Sequence, residues 1–215
     1  MIRGQAIMRW TSDTARREGR TGPRYRCGFS MLELLVTVAI ILILTTLYWS
    51  PNSGSRQRSL QNSCQKNLQK VYIALDVYAN DWGGRFPNVP GAQHSGEALA
   101  LLVPKYTSDT ASFICPGGHD SEPPAGGSLA KHKISYAYYM GRGVDSGQVL
   151  MSDKQVDTKA KQAGQQVFST TGKPPGNNHR KYGGNFLFCD GHVELSPAAA
   201  AFPLPLTNGE VLLNP

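Results

Sequence analysis

Residues 24–33 read Arg-Tyr-Arg-Cys-Gly-Phe-Ser-Met-Leu-Glu, and LLVTVAIILILTTLYW follows at 34–49. An arginine-rich segment thus meets an apolar run, Met31–Trp49, that holds one acid, Glu33, and no base. The 21 residues Phe29–Trp49 would reach roughly 30 Å as a helix at ~1.5 Å per residue, the thickness of a bilayer's hydrocarbon core. Arginines on the N-terminal flank predict that this end stays cytoplasmic while the C-terminal part is delivered across. Tyr48 and Trp49 stand where an interfacial aromatic anchor would stand. A removable secretory signal would carry a shorter apolar region and a small-x-small site after it, whereas Tyr48-Trp49-Ser50-Pro51 follows here. Glu33 argues against a plain anchor as well. A carboxylate one turn into a membrane helix costs on the order of 2–3 kcal/mol, which makes sense if the charge finds a partner. Cleavage between Gly28 and Phe29 would create one, the new terminal ammonium of a neighbouring subunit, and would leave Glu33 as the fifth residue of the mature chain.

Outward from this junction, composition excludes a nucleic-acid reading. The formal charge is +7, but residues 1–28 hold seven arginines and two acids, a balance of +5, so the other 187 residues carry only 7 − 5 = +2. That part lacks a basic stripe with interleaved aromatics that could track phosphates. The asymmetry belongs to a leader. Four cysteines, Cys27, Cys64, Cys115 and Cys189, form no CxxC pair and no zinc-finger spacing. In an exported domain an oxidising compartment permits a disulfide. With Cys27 in the leader, three candidates and three pairings stay open.

Gly28-Phe29-Ser30-Met31-Leu32-Glu33 resembles the cleavage and methylation site of type IV prepilins and type II secretion pseudopilins. The resemblance implies cutting after Gly28 by a membrane peptidase that also N-methylates Phe29, with Glu33 as the assembly residue. It implies a pilin-like α+β fold: a long N-terminal helix, transmembrane then amphipathic, packed on a small antiparallel sheet. The implied partners are the prepilin peptidase/methyltransferase, other pilin-like subunits, an inner-membrane assembly machinery and the lipid bilayer, with no nucleic acid. The implied product is a single-pass inner-membrane protein with its C-terminal domain in the periplasm, polymerising into a filament. The alternative is a membrane-tethered periplasmic binding domain, with or without dependence on a metal, that does not polymerise.

The expected organisation is a leader at 1–28, a membrane and assembly helix at 29–50, an α+β domain at 51–195 and a tail at 196–215. Pro51-Asn-Ser-Gly-Ser55 predicts a helix interruption. From Arg56 to Asn80, Leu60, Cys64, Leu68, Val71, Leu75 and Tyr78 recur at three and four residues, one apolar stripe on an amphipathic helix. Asp81-Trp-Gly-Gly-Arg-Phe-Pro87 predicts the turn that ends it, and Ser95–Leu102 reads as a short helix. Short elements follow at 112–116, 134–140 and 148–152, with a Gly/Pro/Ser-rich loop at 117–127 and a polar, faceless stretch at 154–166. In Asn185-Phe-Leu-Phe-Cys-Asp-Gly-His-Val-Glu-Leu195, Asp190-Gly191 between apolar runs predicts a β-hairpin closed by a primed turn. Residues 196–215 read as a loose tail with one strand near Val211–Leu213.

The segment from His179 to Val193 further resembles the C-terminal motif of prepilin-like proteins named for a His-x9-Asp-Gly pattern, here with ten residues between His179 and Asp190-Gly191. Cys64-Gln-Lys-Asn67-Leu68, Arg85-Phe86-Pro87, Phe113-Ile-Cys115-Pro116 and Ser135-Tyr-Ala-Tyr fit the same picture. The motif's role does not follow from the resemblance. On residue type, Asp153, His179, Asp190 and His192 are candidate zinc ligands, and Asp153, Asp157 or Asp190 could help a carboxylate-rich loop hold calcium. The plainer reading is that Asp190 shapes the turn and the histidines are ordinary polar residues, with no cofactor. No nucleophile elbow, phosphate loop or paired-carboxylate signature points to an enzyme.

Overall fold

A computed structural model describes residues 30–48, 53–124, 127–144 and 147–215. The cleavage junction Gly28-Phe29 and the anchor residue Trp49 lie outside these residues. The chain divides into two units, Met1–Pro51 and Asn52–Pro215.

The first unit contains one helix, α1 (Met31–Tyr48). Ser30 starts it: its carbonyl accepts from the Leu34 amide at 3.0 Å and its hydroxyl from the Leu32 amide at 3.3 Å, which satisfies donors that a helix start leaves open. Three threonines interrupt the apolar sequence without leaving bare hydroxyls. Thr37, Thr45 and Thr46 donate to the carbonyls of Leu34, Leu42 and Ile43 at 2.8–2.9 Å, the local bond that lets threonine sit in an apolar medium. Every described side chain from Met31 to Thr46 is exposed. Among the described residues no helix is long and apolar enough to cross a membrane. The 18 residues of α1 come to roughly 27 Å, and the expected span needs Phe29 and Trp49 as well.

The second unit is α+β: a long helix followed by a five-stranded antiparallel sheet. Helix α2 (Ser53–Asp81) begins inside the stretch expected to break it. The stripe it buries is Gln57, Gln61, Cys64, Leu68, Val71, Leu75 and Tyr78, a regular alternation of fours and threes. The first two turns therefore present glutamines, with Leu60 only half-buried. Gln61 explains why: its Nε2 donates to the Tyr182 carbonyl at 2.9 Å and its own carbonyl receives Asn185 Nδ2 at 3.4 Å. Leu68, Val71 and Leu75 are fully buried, worth about 1.5–3 kcal/mol each. The helix ends at Asp81 where Gly83 and Gly84 take positive φ. Helix α3 (Ser95–Leu99) continues as a 3₁₀ turn, Ala100–Leu102.

The strands are β1 (Tyr136–Met140), β2 (Val149–Asp153), β3 (Gly184–Phe188), β4 (Val193–Ser196) and β5 (Val211–Leu213), in the order β4-β3-β2-β1-β5. All four pairings are antiparallel. The three central strands are buried throughout because both sheet faces are covered, which is why β1 is apolar or aromatic along its whole length and why β2 and β3 carry apolar residues on both faces. Tyr136, Tyr138, Met140 and Leu187 join the α2 stripe in one core, while Ala137, Tyr139, Phe186 and Phe188 join Val167, Phe168, Ala200, Leu204 and Leu212 in another. A register shift between Val149 and Met151 sends Leu150 and Met151 to the same core, the effect of one unpaired residue on a period-two pattern.

Two expectations need correction. Residues 196–215 are not a loose tail: Ala200 and Leu204 are buried, Leu204 and Lys161 exchange backbone hydrogen bonds, and β5 pairs with β1. The prolines disguise this segment, since it packs by side chains and isolated bridges rather than as a continuous strand. The β3–β4 hairpin forms as expected, but its turn is not primed. Gly191 has φ +90, whereas Arg180 is the one non-glycine with positive φ among the described residues. The Gly191 amide closes on the Phe188 carbonyl at 3.0 Å and the Phe188 amide on that of His192 at 3.0 Å, a type I turn followed by a left-handed glycine.

Candidate functional site

Asp153 ends β2, where it pairs in register with Tyr136, and is fully buried. A buried carboxylate needs partners, and the loop before β3 and β3 itself supply them. Asn178 Nδ2 donates to Oδ1 at 2.7 Å; the Asn185 amide and its Nδ2 donate to Oδ2 at 2.7 and 2.9 Å. His179 Nε2 lies 3.3 Å from the same Oδ2. Among the described residues no lysine or arginine pairs with Asp153; Lys154 beside it turns to Asp120, at 2.6 Å.

His179 is itself 0% exposed, and its ring is wedged between Asp153 and sulfur. Nε2 sits 3.4 Å from Cys115 Sγ, and Cys115 is disulfide-bonded to Cys64 of α2, with Cα atoms 5.4 Å apart. Nδ1 is buried without a hydrogen-bond partner. An unmatched lone pair is a smaller loss than an unmatched N–H in contact with nothing, so the ring fits the tautomer that donates from Nε2. Gly117 makes room: a Cβ there would come within 2.6 Å of Nδ1.

The remaining sequence signals converge on the same place. Asn67 Nδ2 donates to the Ile114 carbonyl at 3.0 Å, tying α2 to the segment that carries Cys115. Ser135 accepts Asn178 Nδ2 on its carbonyl and donates its hydroxyl to Asp120, both at 2.7 Å. The four residues Cys64, Cys115, Asp153 and His179 place their ligand-type atoms within 4.8 Å of one another, all buried.

The quartet expected from residue type is therefore divided. Asp153 and His179 meet, but Asp190 and His192 are absent from that cluster. Those two pair with each other at the exposed hairpin turn, Nδ1 to Oδ1 at 2.5 Å, with Glu194 3.6 Å from Nε2. The His192 amide, helped by its ring, holds the Asp190 carboxyl below its ordinary value. Asp157 pairs with Lys161 at 2.6 Å, and among the described residues neither it nor Asp190 joins Asp153 in a group of ligand-type atoms. Asp190 shapes the turn. The cysteines were the members missed at the site, because the spacing of Cys64 and Cys115 carries no metal-type pattern. Their placement next to Asn67 and Pro116 was the only sequence signal. Glu33 lies in the first turn of α1 and is exposed, and it makes no hydrogen bond or ion pair among the described residues.

Residues 23–48 match the family model of the prokaryotic N-terminal methylation motif. The match is consistent with a type IV prepilin-like protein and supports a pilin-like or pseudopilin protein in general terms, with processing by a prepilin peptidase. No curated protein and no solved structure matches the chain.

Proposed function

We propose that this chain is a pseudopilin or minor pilin, cut after Gly28, N-methylated at Phe29, and assembled through its N-terminal helix into a periplasmic filament of a type II secretion or type IV pilus-like machine. The observation that carries the reading is the methylation-motif match over residues 23–48. Two features of α1 support it. Apolar side chains along it, Leu34, Leu35, Ile41, Leu42 and Ile43, are more than half exposed in the single chain, so lipid or neighbouring helices must cover them. Its threonine hydroxyls are already satisfied within the helix, as such a setting demands.

Before assembly the helix holds the subunit in the inner membrane, N-terminus cytoplasmic and α+β domain periplasmic. In the filament, Glu33 sits in an apolar core, where an unpaired carboxylate is costly. The methylated ammonium of Phe29 on an adjacent subunit offsets that cost and sets the stagger between helices. The chemistry is performed on the chain by the peptidase; the chain itself contributes helix packing and one charge pair.

The mature N-terminus tests the processing. Mass spectrometry of protein from membranes should find a species that begins at Phe29 and carries one added methyl; material that retains residues 1–28 would refute the reading. Glu33→Val should leave cleavage intact while removing the protein from sheared or crosslinked filaments. Unchanged incorporation would instead favour a tether that never polymerises.

A further inference from the structure

The buried cluster under the sheet has a composition that a disulfide and a hydrogen-bond network do not require. Two sulfurs, an imidazole and a carboxylate come from four separate segments: α2, the turn before Pro116, the end of β2 and the loop before β3. We propose that when Cys64 and Cys115 are reduced these groups form a closed four-ligand zinc site: Cys64 Sγ, Cys115 Sγ, His179 Nε2 and one Asp153 carboxylate oxygen.

The geometry supports this directly. Zinc–ligand bonds of ~2.0–2.3 Å in a tetrahedron place neighbouring ligand atoms roughly 3.3–3.8 Å apart. Two such edges already exist, His179 Nε2 to Cys115 Sγ at 3.4 Å and His179 Nε2 to Asp153 Oδ2 at 3.3 Å. The same ring nitrogen faces both, so it points at the centre the ligands share. The sulfur–sulfur edge must open to roughly 3.8 Å, and because the four ligand atoms already lie within 4.8 Å of one another, side-chain rotation can complete the set while the cysteine backbones stay in place.

The chemistry of the donors selects the metal. Thiolate with imidazole favours zinc over calcium or magnesium, which prefer all-oxygen cages. All four residues are buried, so the site has no seat for an exchanging water and would be structural. The surroundings are those of an oriented ligand set. Asn178 and Asn185 fix the carboxylate through three hydrogen bonds, the kind of outer partner that aims a metal ligand.

Loading is a proton exchange: two thiols release two protons as two Zn–S bonds form, and the His179 ring proton moves from Nε2 to Nδ1, which frees Nε2 for the metal. Unloading is a redox step. The two thiolate sulfurs give up two electrons to a disulfide-bearing oxidant, which becomes a dithiol on taking up two protons. The Cys64–Cys115 bond forms and Zn²⁺ departs. The chain would thus hold zinc where thiols are kept reduced and a disulfide where they are oxidised, with the same core in both states.

The test uses the full chain in detergent, prepared anaerobically with a phosphine reductant, its thiols counted, and incubated with Zn²⁺ or Co²⁺. The expected result is one tightly held zinc per reduced chain. With cobalt, tetrahedral visible bands and a thiolate-to-cobalt charge-transfer band should appear, and all should be lost when a disulfide oxidant is added. Cys27→Ser and Cys189→Ser should keep the metal, while Cys115→Ser and His179→Gln should lose stoichiometric binding. A fully reduced, folded chain that binds no metal overturns the proposal. So does cobalt bound without the thiolate band, or zinc retained by Cys115→Ser, which would place the ion elsewhere. If the variants do not fold, the wild-type cobalt spectrum decides by itself.

Discussion

Replacing Cys64 and Cys115 together by alanine removes a crosslink between residues 51 positions apart in sequence. In the chain-entropy description, closing a loop of that length removes from the unfolded ensemble about 2.1 + 1.5R ln 51 cal/mol/K, or about 4 kcal/mol at 25 °C. For a unit of this size each kcal/mol moves the melting temperature by roughly 2–4 °C, so the crosslink should be worth roughly 8–16 °C. Losing two buried sulfurs adds to the effect in the same direction. The assay is thermal unfolding of the detergent-solubilised full chain, followed by circular dichroism, with a chelator present so that metal binding cannot mask the loss. Cys189→Ala, which spares the crosslink, serves as the comparison. Disulfide mapping of the wild type accompanies the melts. A shift of less than about 3 °C for the double variant, or peptides joining Cys189 to either partner, would refute the pairing and the energetic argument built on it.

Gly191 has φ +90, and a Cβ there would lie 2.5 Å from the Tyr72 ring. Gly191→Ala should therefore destabilise the domain by about 1–3 kcal/mol, in the range of one strained backbone position, and urea midpoints read this; a neutral outcome would mean that the turn is not held against α2. Acid should weaken the fold through Glu210. Burial pushes this carboxyl up, but the Thr207 amide and Arg142 outweigh it and hold it below the ordinary 4.5. Its stabilisation is thus complete above about pH 4.5 and fades as pH falls through the lowered folded value. Glu210→Gln should flatten the fall in melting temperature between about pH 4.5 and pH 2; equal slopes in variant and wild type would rule out this contribution.

Short-range patterns were legible without coordinates because they report local geometry. The apolar run after Phe29 and the three-and-four spacing from Cys64 to Tyr78 each specify a helix by its own period. Asp190-Gly191 between apolar stretches specified a hairpin, although the sign of φ at Asp190, and so the turn type, depended on how the strands came together. The tail from 196 to 215 was misread for a related reason. Its alanines and prolines show no period, yet Ala200 and Leu204 fill a face that Phe168 and Phe186 leave open.

The buried cluster belongs entirely to the tertiary structure. Residue types placed Asp153 with His179, and also with Asp190 and His192, and nothing local could separate those choices. The chain places Cys115 beside His179 across 64 positions and Asn185 on Asp153 across 32, distances over which no periodicity carries information. Which cysteines meet, which histidine is buried and which acid is enclosed are decided by the packing of α2 on the sheet. The arginine flank, the apolar run and Glu33 need no such packing to be read, because charge, apolar length and one acid act along the chain itself.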